Sequence, residues 1–269
     1  MSVGDRFTIR ENASDGRMTF FEHLGELRRR LLYCIALLFI VAVVSLSFAP
    51  EMFEWLRGPL LYLPHQKLIV LSPIELYITY LKLGVLAAIF ISSPFLLLQL
   101  WLFVAPGLYP QEKRWLGPFV IIGSLFFVAG GAFAYYIVLP LGFKFVVSQM
   151  PETISAQYSV AIYFKLVIQL ILAFGIVFEL PLIMWILSAA GIVTPKFFSR
   201  MRRYWLIASL IIGALLTPPD PFTQILMAVP LIAFYEIGVF GAKIMHRRRN
   251  HQRESNTQTT ATSNINNGG

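Results

Sequence analysis

The sequence predicts an all-α membrane protein with six transmembrane helices, and three observations support this fold class. The chain of 269 residues is 57% hydrophobic and only 13% charged, and it contains 23 phenylalanines. Its apolar residues gather in segments, most of which reach the roughly 20 residues that a helix needs to cross a bilayer. Its lysines and arginines are concentrated in alternate loops, which is typical of a multi-pass membrane protein.

Six apolar segments follow one another along the chain. They cover about residues 31–48, 75–104, 116–139, 161–188, 204–217 and 222–241. At about 1.5 Å per residue the fifth spans roughly 21 Å, whereas a hydrocarbon core is about 30 Å thick. Pro218, Pro219 and Pro221 surround Asp220 at its end and cannot continue a helix. We therefore expect segments five and six to form a short hairpin.

Charge predicts the orientation of these spans. Most of the 22 lysines and arginines lie in residues 1–30, 105–115, 189–203 and 242–269. The opposite loops hold only Arg57, Lys67 and Lys144, while Lys82 and Lys165 lie in the outer ends of spans, where long side chains reach the interface. By the positive-inside rule we expect both termini to be cytoplasmic.

Amphipathic stretches flank the first span. Residues 18–32 carry an apolar stripe beside charged side chains, and they predict a helix along the inner interface that runs into span one. Residues 50–57 predict a short helix over the outer mouth, and a second outer loop extends from Pro140 to Val160. Both outer loops are expected to cap the bundle.

Three regions follow from this pattern. Residues 1–17 are predicted to be a flexible segment, residues 18–243 the membrane domain, and residues 244–269 a disordered cytoplasmic tail, because its Asn, Thr and Ser residues show no apolar periodicity. The single cysteine, Cys34, excludes a disulfide framework, and no metal or other cofactor is predicted.

Glu179 is the most unusual residue of the spans, because lipid solvates a carboxylate poorly. A central acid costs roughly 2.5 to 3.5 kcal/mol to insert, and such residues usually face a bundle interior or a watery cavity. Pro181, two positions on, lacks the N–H that bonds the carbonyl of Val177, so we expect a bent helix here. Two interpretations remain open: a structural Glu hydrogen-bonded to a neighbouring helix, or a polar spot on a membrane-embedded working surface.

Four motifs make the chain similar to a known family. They are HLGELRRRL at 23–31, FVAPGLYPQEKR at 103–114, FGIVFELP at 174–181 and LLTPPDPFTQ at 215–224. In this order and in these spans they resemble the TatC family, the receptor subunit of the twin-arginine protein translocase. The resemblance covers about residues 18–243, and the four motifs together are highly specific.

The resemblance implies roles for particular residues. It implies that Glu26, Arg28, Phe103 and Glu112 form a cytoplasmic patch that binds signal peptides with paired arginines. It implies that Glu179 and Pro181 lie at a functional spot on a concave groove, and that Asp220 and Gln224 mark the hairpin where partner subunits dock. Guanidinium pairs with carboxylate bidentately, which lysine imitates poorly, so two acids suit two arginines.

The resemblance also implies partners and an energy source. We expect single-span subunits similar to TatA and TatB, signal peptides of folded cargo, the lipid bilayer and self-association in a larger receptor complex, all at the bacterial inner membrane. No nucleotide-binding loop is present, so the proton-motive force is the expected energy source.

Other functional classes fit less well. A proton-coupled secondary transporter also explains one embedded acid, but we find no convincing repeat between 1–139 and 140–269. An intramembrane enzyme needs a nucleophile with its base or metal ligands, and neither HExxH nor GxSxG occurs. Nucleic-acid binding by the basic run at 246–249 is not expected, because that run belongs to the topology signal.

Overall fold

A computed structural model gives the fold, and it describes residues 20–61, 67–104, 116–149, 151, 157–189, 191–216 and 221–266. The helices are α1 (Phe20–Leu46), α2 (Ala49–Leu56), α3 (Gly58–Leu61), α4 (Pro73–Val104), α5 (Leu116–Phe133), a π-helical turn (Ala134–Val138), α6 (Leu139–Ser148), α7 (Val160–Ala189), α8 (Pro195–Leu216) and α9 (Pro221–Asn266). We call the end at which α1 begins the inner end, following the orientation that charge predicts. The helical fold class is confirmed.

A short sheet joins the two outer loops, which the all-α prediction missed. Strand β1 (Lys67–Ile69) pairs in parallel with β2 (Gln157–Ser159), and Leu68 lies opposite Tyr158. Each strand is followed closely by a long helix, α4 after β1 and α7 after β2. The sheet therefore ties the outer ends of α4 and α7 together.

Five of the described helical stretches are long and apolar enough to cross a membrane. They are Leu24–Leu46, Pro73–Phe103, Gly117–Ser148, Val160–Ala189 and Pro221–Arg247. Helix α8 is not among them, because basic residues occupy its first turns. It begins at Pro195, nine residues before the predicted segment at 204–217, since helical hydrogen bonding does not stop where the apolar residues do.

Helix α7 forms the centre of the bundle. It is apolar around most of its circumference, which is the pattern of a helix surrounded by others. Val167 and Phe174 are completely buried, and α4, α5 and α9 pack around them. Helix α1 lies at the periphery against α4, and side chains such as Phe39, which is 69% exposed, face outwards.

The third span continues further than predicted. We expected a loop from Pro140, but the helix runs on through the π-helical turn and α6 to Ser148. In that turn the N–H of Leu139 bonds the carbonyl of Ala134, five residues back. A π turn just before a proline shifts the backbone hydrogen bonds from the residue four back to the residue five back. The helix thereby accommodates the ring of Pro140.

Helix α9 extends beyond the predicted end of the membrane domain. Its backbone stays helical to Asn266, across the predicted boundary at 243. Extending an existing helix adds one hydrogen bond per residue without a new nucleation step, which is why polar residues can continue it. Helix α7 is likewise continuous through Pro181. The predicted flexible segment at 1–17 lies outside the described residues.

Candidate functional site

The inner ends of α1 and α4 meet through three polar side chains. Nε of Arg30 donates to Oε1 of Glu26, one helical turn away, at 2.9 Å. Nη1 of the same Arg30 donates to Oε1 of Gln99 on α4 at 3.0 Å. Arg30 thus holds Glu26 against α4. We did not predict Arg30 or Gln99 as site residues, because nothing in the spacing of residues so far apart in the chain shows that they meet.

The two carboxylate oxygens of Glu26 differ in their contacts. Its Oε2 is shielded from solvent and has no hydrogen-bond partner among the described residues. A buried acceptor without a partner is costly, so this oxygen favours an incoming donor. Since Arg30 already uses Oε1, the available atom suits one further N–H of a cation or amide.

The structure describes two of the three other predicted residues of the inner patch. Arg28 is exposed on α1, and Phe103 is half-buried in the last turn of α4. Phe103 lies four residues after Gln99 and therefore on the same face of α4. The structure thus brings Glu26, Gln99 and Phe103 to one corner of the bundle. Glu112 lies outside the described residues.

Glu179 is enclosed rather than open. The residue is 5% exposed, and neither carboxylate oxygen has a hydrogen-bond partner among the described residues. It faces Gly123 of α5: a Cβ built on that glycine would lie 3.1 Å from Oε2 of Glu179 and 3.2 Å from side-chain atoms of Leu97 and Leu182. The missing side chain of Gly123 therefore leaves the room that Glu179 occupies. The hydrogen bond to a neighbouring helix, which one of the two interpretations requires, is not seen among the described residues, and lining of an open groove stays a prediction.

Helices α8 and α9 pack antiparallel along their whole shared length, in keeping with the predicted hairpin. Nε2 of Gln224 donates to the carbonyl of Leu210 at 3.0 Å near the outer end. Gly213 lies so close that its Cβ would stand 2.8 Å from the backbone oxygen of Gln224. Gln224, which we predicted as a partner-docking residue, thus anchors the hairpin itself. Asp220 lies outside the described residues.

A polar and aromatic cluster closes the same hairpin at its inner end. Arg202 and Glu236 form a salt bridge of 2.7 Å, and Nε1 of Trp205 donates to the carbonyl of Leu231 at 3.0 Å. The hydroxyl of Tyr235 donates to the carbonyl of Phe198 at 2.8 Å. We missed Glu236 as a second acid in an apolar stretch. The signal was present, because Arg202 is the nearest charge that an antiparallel hairpin brings opposite it.

Small residues bring α9 against α7 near Pro181. A Cβ on Gly238 would lie 3.2 Å from Cα of Pro181, and the hydroxyl of Ser188 donates to the carbonyl of Ala242 at 2.9 Å. The ring of Trp185 fills the space beside Gly241. Pro181 therefore lies in a helix contact, where the absent side chain of Gly238 allows the backbones to approach closely.

A buried carboxylate organises the outer face. Oε2 of Glu75 accepts hydrogen bonds from the backbone N–H groups of Leu71 and Ser72, and Oε1 accepts from the N–H of Ala161 at 2.6 Å and from the hydroxyl of Ser159. Charge-assisted bonds of this kind are the strong ones. The predicted outer helix is confirmed as α2, whose Phe53 stacks on Phe164 at 4.5 Å between ring centroids.

No group of three or more histidine, cysteine, aspartate or glutamate side chains is placed to hold a metal ion within the ranges that the structure describes. Three of the described carboxylates lie far apart: Glu26 at the inner corner, Glu179 in the interior and Glu75 at the outer face.

Comparison with known proteins gives consistent matches over most of the chain. Residues 22–230 match the model of the family described as Sec-independent protein translocase protein (TatC). A protein of that name from Magnetococcus marinus is 39% identical over 233 residues, which is 86% of each chain. Its counterpart from Escherichia coli is 37% identical over 220 residues, covering 81% of this chain and 85% of that one.

Solved structures agree with these matches. A crystal structure of the twin-arginine translocase receptor TatC superposes with a TM-score of 0.76 at 39% sequence identity, covering 83% of this chain and 99% of the other. A second crystal structure of that receptor, in the detergent DDM, also gives a TM-score of 0.76 and covers 81% of this chain. These proteins are therefore similar to the chain in sequence and in helical fold.

Proposed function

Because the chain belongs to the TatC family of Sec-independent protein translocase proteins, we propose that it binds twin-arginine signal peptides at the inner corner formed by α1 and α4. It is a multi-pass membrane component of the Tat system, and its role is transport rather than catalysis. The binding residues in this proposal are Glu26, Arg28, Phe103 and Glu112.

The observation that carries the proposal is Oε2 of Glu26, which has no hydrogen-bond partner in the part of the chain that the structure describes. Arg30 fixes the carboxylate through Oε1 and is itself held by Gln99, so the orientation of Oε2 is set before any ligand arrives. A pre-oriented carboxylate loses little freedom on binding, which favours affinity. A guanidinium then supplies the missing donor to Oε2, and Phe103 offers an aromatic surface beside it.

The second arginine needs a second acid, and Glu112 is suitably placed in sequence. It lies eight positions after Val104, the last residue of α4, so an extended chain carries it no further than roughly 27 Å from the end of that helix. Glu112 can thus lie within the same inner corner as Glu26. Lysine pairs meet the same charges without the planar fork that bonds carboxylates bidentately, so they bind less well.

The apolar part of the signal peptide follows the arginines into the bundle. We propose that Glu179 and Pro181 act at this later step, when helices separate enough for a transported segment to reach the acid that Gly123 now encloses. An enclosed carboxylate that has no hydrogen-bond partner among the described residues can accept one when the contact opens. Binding at the inner corner and passage near Glu179 are therefore separate steps.

Partners and orientation complete the proposal. Both termini lie in the cytoplasm, single-span subunits similar to TatA and TatB dock at the α8–α9 hairpin near Asp220 and Gln224, and several copies associate in a receptor complex. The proton-motive force drives transport across the inner membrane. The closed packing of Gly213 against Gln224 gives these subunits a rigid surface to meet.

An export assay tests the proposal in cells. A folded reporter with a twin-arginine signal peptide is expressed with the wild-type chain, and a matched reporter carries two lysines in place of the arginines. Export of the twin-arginine reporter alone is the expected result. Equal export of both reporters, or of neither, would contradict the proposed recognition.

A further inference from the structure

A groove opens on the outer half of the molecule between α4 and α7. It encloses about 590 Å³ and is bounded on one side by Ile74 and Ile78 of α4 and on the other by Ala161 and Ile162 of α7. The isoleucines are well exposed, with Ile74 at 64% and Ile162 at 67%. An apolar groove of this size on a membrane-facing surface suits a ligand with hydrocarbon chains.

Two lysines lie in this groove or at its lower edge. Lys82 lines it directly. Lys165 follows Ala161 by four residues and Ile162 by three, and so projects from the same face of α7 one turn further in. Both side chains are exposed, and neither forms an ion pair or side-chain hydrogen bond with any residue in the described ranges. Two ammonium groups that have no ion-pair partner among the described residues, beside apolar walls, favour the binding of an anion.

Glu75 lines the groove too but does not supply that anion. Both of its oxygens are occupied by donors from Leu71, Ser72, Ser159 and Ala161. This carboxylate is committed to the first turns of α4 and α7, and it forms no salt bridge with Lys82. Glu75 therefore keeps its negative charge at the upper wall with its acceptors occupied, and the lower part of the groove is positive.

The depth of the lysines matches the lipid headgroups. Helix α4 has 32 residues and α7 has 30, so at about 1.5 Å per residue they are roughly 48 and 45 Å long. Both exceed the hydrocarbon core of about 30 Å, and an even share of the excess leaves about 8 Å beyond the core at each end. Lys165 then lies at the outer boundary and Lys82 slightly below it, from where its long side chain reaches upwards.

We propose that this groove binds an anionic phospholipid of the outer leaflet. Lys82 and Lys165 hold the phosphate, and an acyl chain lies along Ile74, Ile78 and Ile162. The charge and depth of the lysines select the phosphate, and the apolar walls select a lipid over a soluble anion. The bound lipid joins α4 to α7 just below the contact that Glu75 makes.

The test uses the full-length chain purified in dodecylmaltoside. Native mass spectrometry counts retained phosphatidylglycerol, and thermal unfolding is followed with added phosphatidylglycerol or phosphatidylcholine. We expect the wild type to retain phosphatidylglycerol and to be stabilised by it more than by phosphatidylcholine. Lys82→Gln/Lys165→Gln should weaken binding at least about ten-fold, since each lysine near a membrane surface adds to the attraction.

Lys144→Gln is the matched control, because Lys144 is an exposed lysine of α6 at the same end of the molecule and does not line the groove. It should bind phosphatidylglycerol as the wild type does. If the double glutamine variant does not fold, Lys82→Arg/Lys165→Arg keeps both charges and should keep the binding, with the single glutamine variants each losing part of it.

Three results would overturn the proposal. The first is equal stabilisation by phosphatidylcholine, or by inorganic phosphate without lipid, which would show that no anionic lipid is selected. The second is unchanged binding in the double variant. The third is zero-length crosslinking of Lys82 in membranes to a carboxylate of another protein, with no lipid retained, which would assign the groove to a partner helix.

Discussion

The carboxylate of Glu75 in the first turn of α4 accepts a hydrogen bond of 2.6 Å from the backbone N–H of Ala161 in the first turn of α7. The two residues are 86 positions apart in the chain. This bond fastens α4 and α7 together at their outer ends, beside the β1–β2 pair. The N-terminus of a helix attracts negative charge, so the contact between the Glu75 carboxylate and the first turn of α7 is electrostatically favourable.

Glu75→Ala should lower the midpoint of thermal unfolding in detergent by several degrees. The substitution removes the carboxylate that accepts hydrogen bonds from four donors. The donors of Ser159 and Ala161 lie in or beside a buried region, where an unpaired donor is costly. Glu75→Gln should give an intermediate unfolding midpoint, because the amide oxygen still accepts hydrogen bonds while the amide NH₂ group faces other donors.

Glu54→Gln is the control for this substitution. Glu54 pairs with Arg57 on the exposed surface of α2, and exposed pairs contribute little. An unfolding midpoint for Glu75→Ala no lower than that of Glu54→Gln would refute the fastening role.

A second expectation concerns Glu179 and the space beside it. Glu179→Ala should fold and bind signal peptides normally, because replacing a buried unpaired acid avoids its desolvation cost. Export should fail at a later step, whereas Glu179→Gln should stay close to wild type. Loss of thermal stability together with both activities would instead assign Glu179 a structural role.

Gly123→Ala probes the same contact from the other helix. Its Cβ would meet Oε2 of Glu179 at 3.1 Å, so the variant should lose on the order of 1 kcal/mol of unfolding free energy. In Gly123→Ala/Glu179→Ala the contact with Glu179 is gone while those with Leu97 and Leu182 at 3.2 Å remain, so part of this loss should be recovered. Additive losses in a double-mutant cycle would show that the two residues do not share one space.

The spans themselves were predictable, because a lipid environment requires helical hydrogen bonding and therefore long apolar segments. The enclosure of Glu179 was not, since it depends on a glycine in another helix that happens to lie at the same depth. The end of the third span was missed for a local reason: Pro140 is normally a break, and only the π turn before it accommodates the ring. Glu75 was missed because its four donors come from two distant stretches of chain.

The inner corner shows the same limit at the candidate site. Glu26 and Phe103 were inferred from the motifs, and the structure brings them to one end of α1 and α4. Arg30 and Gln99, which fix Glu26, were not inferred, because a contact between residues 69 positions apart leaves no periodic trace in the sequence.

The α8–α9 hairpin should be sensitive to side-chain size at one position. Gly213→Ala places a Cβ 2.8 Å from the backbone oxygen of Gln224, and a backbone atom cannot give way without a shift of the helix. We expect lower thermal stability and weaker association with TatA-like and TatB-like subunits in pull-downs. Gly117→Ala, where a Cβ meets nothing within 4 Å, should behave as wild type. Normal association of Gly213→Ala would separate the hairpin contact from docking.

Topology can be checked with single cysteines after Cys34 is replaced. A membrane-impermeant thiol reagent added outside the cells should label cysteines at positions 66 and 152 and should not label one at Ser199 of α8. Labelling at Ser199 from outside would reject the proposed orientation.

Direct binding of a twin-arginine signal peptide to the purified receptor tests the central claim most closely. A photo-crosslinking signal peptide is titrated against the wild type, Glu26→Gln, Glu112→Lys and the control Glu51→Gln on outer helix α2. We expect Glu112→Lys to abolish crosslinking, because attraction becomes repulsion, and Glu26→Gln to weaken it about ten-fold or more through loss of one charge-assisted pair, while the control stays unchanged. Full crosslinking to both Glu26→Gln and Glu112→Lys would contradict the account.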